Sequence, residues 1–229
     1  YCLGAEGINP ERDVRMVVAP PPFMVDQLER GMIDAFCVGE PWNTWAEYRG
    51  SGRAIVRSAD IWRHMPEKVL GVREKWAAEN PDTHLSLVKA VLEALQWLDA
   101  RHHRDETAFI LARGEYLDMP ATILRPALTG RGALSSRRSV VETDDFLIFH
   151  HYAANFPWQS HALWFLTQMA RWGQIEEPAN LTEIAEHCYQ PEIFRKAAAL
   201  LGIAAPLINS KVEGARDRAW LLEDATAPI

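Results

Sequence analysis

The sequence has few of the features that mark membrane, nucleic-acid-binding or redox proteins. No apolar run approaches the length of a membrane span. The net charge is −7, and no Lys/Arg stripe provides the basic surface that nucleic acid requires. The three cysteines cannot all pair with one another, and none has CxxC spacing. These absences argue against a membrane-spanning chain and a nucleic-acid partner, whereas the cysteines leave the cellular compartment open.

Residue patterns typical of catalysis are also scarce. The chain has no Gly-x-Ser-x-Gly elbow, and Arg49-Gly-Ser-Gly-Arg53 lacks the preceding strand and following helix of a phosphate-binding loop. Cys37 falls inside an apolar run, where an inert, buried thiol is expected. The tandem pairs His102-His103 and His150-His151 are poor metal ligands, because neighbouring residues on a helix point in different directions. We therefore expect no catalysis, no cofactor and no metal site.

The most informative stretch runs from Gly31 to Trp42. Its apolar residues 33–38 predict a buried strand, which follows a glycine turn and ends at the corner Gly39-Glu-Pro41. In open α/β sheets, ligands lie just beyond the carboxyl ends of such strands. The candidate ligand-binding residues at this corner are Val38, Gly39, Glu40, Pro41 and Trp42.

The residues before this stretch complete a predicted βαβ unit. Residues 14–18 form a β-branched run typical of a strand, and Pro22 begins a helical spacing that continues to Gly31. Followed by the strand at 33–38, this order predicts a right-handed crossover between parallel strands. Two further short strands are predicted at residues 54–56 and 69–72. The predicted fold class is therefore α/β.

From Asn80 onward the sequence predicts helices. Asn80 is expected to cap a helix whose first residue is Pro81, and Ser160 is expected to cap a helix that ends at Gly173. The other predicted helices cover residues 106–112, 118–128, 144–154, 181–188 and 191–201, with a non-periodic loop at 129–143. The carboxyl half is therefore predicted to be helix-rich, and the residues after Pro206 show little pattern.

Lys68 has two possible roles. It lies just before the apolar residues 69–72. A lysine in that position can extend into solvent, or it can point its ammonium group into a cleft beside backbone amides. Residue type alone favours the solvent-exposed reading, and both readings stay open at this point.

Five segments of the chain together resemble one protein family. They are Pro20-Pro-Pro-Phe-Met-Val25, the stretch from Gly31 to Trp42, Pro66-Glu-Lys68, Arg73-x-x-Trp76, and the block from Asn155 to Gly173 that contains Ser160-His161. This combination resembles the nitrate/bicarbonate-binding family of ABC-transporter substrate-binding proteins, which includes cytoplasmic nitrate sensors. The resemblance covers about residues 1 to 203.

The resemblance implies a periplasmic-binding-protein-like (type II) fold, in which two lobes close on a small anion. Residues 1–40 would be the later part of one lobe, as a βαβ unit. Residues 41–205 would be the hinge crossover and the carboxyl half of the other lobe, and residues 206–229 a tail. Such proteins carry the first strands of both lobes upstream, and this sequence opens at Tyr1 without an initiator Met. We therefore expect an incomplete fold, with part of the binding site upstream.

The resemblance also implies a ligand. Nitrate-binding members place a lysine at the position of Lys68, whereas bicarbonate-binding members place an acidic residue there that works with a metal ion. One ammonium group neutralises a monoanion, and the backbone around Val38 and Gly39 would supply amide donors. The implied ligand is therefore nitrate or nitrite, with no cofactor.

The implied role is the solute-binding component of an ABC importer or a nitrate sensor. The importer role implies membrane subunits as partners and a periplasmic or membrane-anchored location, with only indirect contact with the membrane. The sensor role implies a regulatory protein as partner and a cytoplasmic location. Two alternatives come from other classes: an enzyme on a binding-protein scaffold, and a truncated protein-interaction module without a ligand. A catalytic residue upstream would favour the enzyme, and gel filtration tests the module.

Overall fold

A computed structural model describes residues 2–62, 64–130, 146–176 and 180–213. The chain divides into two compact units whose segments alternate along the sequence. Unit 1 contains Tyr1–Arg63 and Arg101–Leu147, and unit 2 contains His64–Ala100 and Ile148–Ile229. The predicted division into residues 1–40, 41–205 and 206–229 concerns the lobes of a larger fold and stays a prediction.

The described part of the chain is built from short and medium-length helices. The α-helices in chain order are α1 (Cys2–Ala5), α2 (Pro21–Glu29), α3 (Trp42–Tyr48), α4 (Ser58–Ile61), α5 (Glu74–Glu79), α6 (Pro81–Asp99), α7 (Arg104–Leu111), α8 (Ala121–Thr129), α9 (Gln159–Arg171), α10 (Leu181–Cys188) and α11 (Pro191–Leu201). One-turn 3-10 helices cover Arg101–His103 and His151–Ala153. Helices α1 to α4, α7 and α8 belong to unit 1, and the other helices belong to unit 2.

Helix α2 confirms the helix predicted between residues 22 and 31, because proline and glycine delimit it. Pro21 takes the first helical position, where the missing N–H has no intrahelical partner to lose. Gly31 has a φ of +65° and donates its N–H to Leu28 O at 3.0 Å. Val25 is fully buried on α2, which packs against α3, and α3 packs against α8.

Helices α7 and α8 form the core of unit 1. Ala108 of α7 and Ile123 and Leu124 of α8 are almost fully buried where the two helices pack. Arg104, at the start of α7, is also buried and donates a hydrogen bond to Leu128 O at 2.7 Å. This bond offsets part of the cost of removing the guanidinium from water, so the charge also joins the two helices.

Helix α8 runs one residue beyond its predicted end. It passes through Pro126 to Thr129 and stops at Gly130, whose φ is +71°. A Cβ atom at Gly130 would lie 2.6 Å from the ring of Phe146. Both the left-handed backbone and this close approach require glycine, so the residue after Thr129 ends the helix.

The core of unit 2 is formed where α6 packs against α11 and against the residues before α9. Its buried members are Leu92, Phe156, Trp158, Phe194, Ala197 and Ala198. The rings of Phe156 and Trp158 meet edge to face with centroids 4.8 Å apart, and those of Phe156 and Phe194 meet at 5.2 Å. The alanines on α11 allow this close packing of aromatic rings.

Two predicted helix caps differ from the structure in detail. Helix α6 begins at Pro81 as predicted, but Asn80 makes no side-chain cap and instead donates its Nδ2 to Trp76 O at 3.0 Å. Helix α9 begins at Gln159, with Trp158 in the cap position, so Ser160 is not the cap. The reason is that the Ser160 hydroxyl is already bonded to Glu213.

The structure corrects the prediction of four strands. Residues 14–18, 33–38, 54–56 and 69–72 do not form strands in the described part of the chain. A strand is defined by hydrogen bonds to a neighbouring strand. Among the backbone hydrogen bonds of the described residues, no strand ladder joins these segments. Val18 is fully exposed, and Met16 and Val69 are largely exposed. These segments have the apolar pattern of strands, but the pattern does not by itself supply a partner strand.

The helix predicted at residues 144–154 is also wrong over its described part. Residues 146–150 form bends, and Tyr152 has a φ of +60° within the 3-10 turn. The buried carboxylate of Asp99 accepts the N–H groups of Phe149 (2.9 Å) and His151 (2.8 Å). These bonds take amides that a helix would use, which favours a loop. Residues 144 and 145, and residues 131–143 of the predicted loop, lie outside the described residues.

Candidate functional site

The predicted corner after residue 38 is present in unit 1 and leads directly into α3. Asn43 Nδ2 donates to Val38 O at 2.8 Å, which holds the end of the extended segment against the first turn of the helix. Pro41 is buried in the position before α3, and Trp42 is half-buried as its first residue. The peptide bond between Glu40 and Pro41 is cis.

Glu40 places a carboxylate inside this corner. Its Oε2 accepts the N–H of Thr44 at 3.2 Å. Burial raises the pKa of Glu40 above its usual value, and hydrogen bonds from Thr44 oppose that rise. The Glu40 carboxyl thus joins the corner to the first turn of α3, and its contact with a ligand stays a prediction.

Arg49, at the end of α3, joins the helix after the corner to α2. Its guanidinium contacts Asp26 at 2.9 Å and also Glu29, and both carboxylates belong to α2. The Arg49 guanidinium carbon also lies 5.7 Å from the ring centroid of Trp45. These contacts join α2 to α3, so the first turn of α3 keeps its place relative to the rest of unit 1.

Lys68 lies in unit 2, in an extended segment before α5. Its side chain is 75% exposed, and its ammonium group pairs with Glu67. The residues from Val38 to Trp42 belong to unit 1. The structure thus brings the five corner residues together within one unit and places Lys68 in the other. Their joint role in ligand binding stays a prediction.

Cys37 is exposed, which corrects the expectation of a buried thiol. The physical reason is the missing strand pairing: a residue inside a two-sided sheet would be covered, whereas residues 33–38 have no neighbouring strand in the described part of the chain. Cys2 and Cys188 are exposed as well.

The tandem histidines make separate local contacts. His151 pairs with Asp99 through Nδ1, and His150 Nδ1 lies 3.3 Å from Asn155 Nδ2. The rings of His102 and His103 lie 3.9 Å apart. Across the described segments, no three His, Cys, Asp or Glu side chains are arranged to hold a metal ion.

A buried charge cluster in unit 2 was missed by the sequence analysis. It joins Ser160 and His161, at the start of α9, to Lys211 and Glu213. Burial alone would raise the pKa of Glu213, but the hydrogen bond and charge of His161 and hydrogen bonds from Lys211 and Ser160 lower it to about 2. The available signal was Ser160-His161 in the family-like block, but its partners lie about fifty residues away in a stretch without pattern.

No helix within the described segments combines the length and apolar character needed to cross a bilayer.

Comparison with known proteins places this geometry in a class. The chain matches a crystal structure of the periplasmic nitrate-binding protein NrtA from Synechocystis with a TM-score of 0.86 and 29% identity, over 91% of this chain and 55% of that one. The described helices are therefore part of a periplasmic-binding-protein fold. The α/β prediction is confirmed only to that extent, because the regular elements among the described residues are helices.

Sequence comparison finds relatives in the same class of protein. A model described as the NMT1-like family matches residues 1–112. The nitrate import ATP-binding protein NrtC of Synechocystis is 42% identical over 202 residues, which is 88% of this chain and 30% of that protein. The nitrate/nitrite binding protein NrtA of Synechococcus elongatus is 36% identical over 88% of this chain and 46% of that protein. The resemblance to the nitrate/bicarbonate-binding family is confirmed, and the chain is a relative of that family. It spans less than half the length of these curated relatives.

Proposed function

We propose that the chain binds nitrate or nitrite as the solute-binding component of an ABC importer. The observation that carries this proposal is the likeness to the nitrate-binding NrtA structure, which extends over 91% of the chain. Relatives named as nitrate/nitrite binding proteins and as ATP-binding transport proteins support the same system. These relatives favour a binding protein over an enzyme. By analogy with NrtA, the working location is periplasmic or membrane-anchored, with the membrane subunits of a transporter as partners.

In this proposal Lys68 provides the positive charge for the anion. Its ammonium group is largely exposed, so it can reach a ligand without breaking buried contacts. A charge-assisted hydrogen bond from an ammonium to an anion is about twice as strong as a neutral one. Nitrate carries a single charge, which one lysine neutralises. This match of charge favours nitrate or nitrite over a divalent anion.

The corner in unit 1 contributes backbone groups in the same proposal. The amides of Val38 and Gly39 are the proposed donors, and Glu40, Pro41 and Trp42 shape the surface around them. Binding would shift the protein toward a closed state that the transporter recognises.

Isothermal titration of the full-length chain with nitrate, nitrite, bicarbonate and sulfate tests this function. We expect nitrate or nitrite to bind, and Lys68→Gln to weaken binding by about tenfold or more, since a charge-assisted hydrogen bond contributes about 1.5–3 kcal/mol. Lys75→Gln is the matched control, because Lys75 is also an exposed lysine of unit 2 paired with a carboxylate, that of Glu79. The control should bind like the wild type.

Two outcomes would count against the proposal. If the full-length protein gives no binding heat with nitrate or nitrite, the function is wrong. If Lys68→Gln and Lys75→Gln bind equally well, the function can stand but Lys68 is not the charge partner.

A sensor function is the second candidate, because the chain is 42% identical to an ATP-binding import protein and spans only 30% of it. The chain has no phosphate-binding loop of its own. The region that this chain shares with the import protein therefore differs from a region that binds a nucleotide through such a loop. In this role, nitrate binding would regulate a transporter instead of delivering solute. The ATPase rate of the assembled transporter, with and without nitrate on this chain, separates the two roles.

A further inference from the structure

The proposed nitrate site does not explain Ser160-His161, although this pair lies in one of the most distinctive blocks of the sequence. In the structure both residues lie at the start of α9 in unit 2, beside the fully buried ring of Trp158. We call Trp158, Ser160 and His161 the socket. The residues that fill the socket come from a segment near the end of the described chain.

That segment, residues 206–213, is here called the strap, and Arg195 of α11 holds its first half. The Arg195 Nε donates to Pro206 O at 2.8 Å. One of its terminal nitrogens donates to Leu207 O at 3.2 Å and to Asn209 Oδ1 at 2.6 Å. Pro206 is fully buried, so this half of the strap is part of the unit 2 core.

The second half of the strap inserts two charges into the socket. The Lys211 ammonium donates to Glu213 Oε2 at 2.6 Å, lies 3.2 Å from His161 Nε2 and lies 5.4 Å from the ring centroid of Trp158. The Ser160 hydroxyl donates to Glu213 Oε1 at 2.6 Å and accepts the N–H of Lys211 at 3.2 Å. Lys211 and Glu213 therefore engage the Ser160 hydroxyl and Nε2 of His161.

Burial makes the two charges depend on each other. The side chain of Lys211 is 12% exposed and that of Glu213 is 8% exposed. Removing one charge leaves the other buried without its main counterion, which is far more costly than keeping or removing both. The least costly response is for the remaining charge to return to water. Lys211 and Glu213 are therefore expected to enter and leave the socket together.

The contacts that hold the strap differ between its first residues and its last residues. Ile208 packs against the apolar core of unit 2. Beyond it, Asn209 O accepts the N–H of Gln159 at 2.9 Å, Asn209 Oδ1 accepts a hydrogen bond from Arg195, and Lys211 N donates to the Ser160 side chain. Residues 209–213 thus rely on polar and charged contacts, whereas residues 206–208 rely also on burial. Opening can stop at Ile208 without exposing the core.

We propose that residues 209–213 form a conformational switch that is closed when Lys211 and Glu213 occupy the socket and that opens as one unit. Opening exposes Trp158 and frees Ser160 and His161, while the packing of α6 against α11 is kept. The switch gives a physical role to the Ser160-His161 pair that does not depend on the proposed nitrate site.

Hydrogen–deuterium exchange of the full chain, followed by mass spectrometry, tests this switch in Lys211→Met, Glu213→Gln and the double variant. In either single variant, amides of residues 209–213 and of the first turn of α9 should exchange about tenfold faster or more, whereas α6 and α11 keep the wild-type rates. The double variant should be no more open than the single variants, because both charges act as one unit. Lys196→Met, an exposed lysine of α11, is the matched control and should match the wild type.

Two results would overturn the switch. One is wild-type exchange at residues 209–213 in both single variants, which would show that the charges do not hold the strap. The other is a similar rise in exchange across α6, α11 and the strap, which would show that the cluster only stabilises unit 2 as a whole. Ser160→Ala keeps both charges, and it allows the test if a charge variant fails to fold. It should give a smaller rise confined to the strap and the start of α9. A similar rise across α6, α11 and the strap would also overturn the proposal.

Discussion

Two of the Lys–Glu pairs of unit 2, Lys68–Glu67 and Lys211–Glu213, have the same chemistry and opposite surroundings. Lys68 and Glu67 pair with side chains that are 75% and 53% exposed. Lys211 and Glu213 pair with side chains that are 12% and 8% exposed. Water solvates the first pair whether or not it is formed, so pairing changes the free energy little. The second pair is shielded from water while the strap is closed, so each charge depends on the other.

The difference in solvent exposure indicates which of the two lysines can bind a ligand. Lys68 can exchange Glu67 for an anion at small cost, because the carboxylate it leaves returns to water. Lys211 cannot make this exchange while the strap is closed, because Glu213 would then stay buried in the socket without its main counterion. The exposed pair is therefore suited to binding and the buried pair to holding structure, although the residue types are the same.

The largest expected effect is on stability, and it separates the two pairs. Glu213→Gln should lower the free energy of unfolding by about 2 kcal/mol, less than the ~3–5 kcal/mol typical of a buried pair, since the strap can open and return Lys211 to water. Glu67→Gln should change it by less than about 0.5 kcal/mol. Urea unfolding of both variants measures the two values. Equal losses would show that burial does not distinguish the pairs.

The second effect is the pH dependence of the stabilisation that Glu213 provides. The folded pKa of Glu213, about 2, lies below its usual value of 4.5. The unfolded chain therefore binds more protons in this window, so the stabilisation from Glu213 is complete above pH 4.5 and is lost as the pH falls toward 2. The difference in urea midpoint between wild type and Glu213→Gln should shrink from pH 6 to pH 3. A difference that is constant with pH would contradict the pKa assignment.

A smaller effect concerns ligand affinity and rests on the proposed nitrate site. Glu67 competes with an anion for the Lys68 ammonium, so Glu67→Gln should raise nitrate affinity by about two- to fivefold, which corresponds to an exposed ion pair of up to ~1 kcal/mol. Isothermal titration at low salt measures the change. Glu79→Gln, which removes the partner of Lys75, is the control and should leave affinity unchanged.

The smallest effect is the response of the two pairs to salt. The coupling energy of Lys68 and Glu67 from a double-mutant cycle should fall toward zero as salt rises from about 0.05 to 0.5 M, since exposed charges are screened. The coupling of Lys211 and Glu213 should change little over the same range, because burial excludes the screening ions. If both couplings fell together, the strap would already be open in solution.

Much of the helical part of the fold was predictable because its signals are local. Pro21, Pro81 and Pro191 occupy first helical positions, and glycines with positive φ at residues 31, 130 and 202 end helices. Each signal acts within one turn of the helix. The strands were not predictable in the same way, because residues 14–18 and 33–38 carry the right apolar pattern but a strand also needs a partner elsewhere in the chain.

The candidate site shows the same limit. The apolar pattern before residue 38 singled out the corner from Val38 to Trp42, and the family resemblance favoured a ligand role for Lys68. The structure shows how Asn43 and Glu40 organise that corner. The exposure of Cys37 was missed, since burial depends on what packs against a segment. The Asp99 carboxylate likewise redirected residues 149–151 from helix to loop, although it lies about fifty residues away in the sequence.

The sequence by itself determined the approximate positions of most described helices, the acidic charge balance and the family to which the chain is related. These properties depend on residue type, short spacing and motifs that neighbouring residues form. Only the tertiary structure decided that the charges of Lys211 and Glu213 lie buried against Ser160 and His161 while those of Lys68 and Glu67 stay in water. The physical reason is that the free energy of a charge depends on its solvent exposure, which is set by residues distant in the chain.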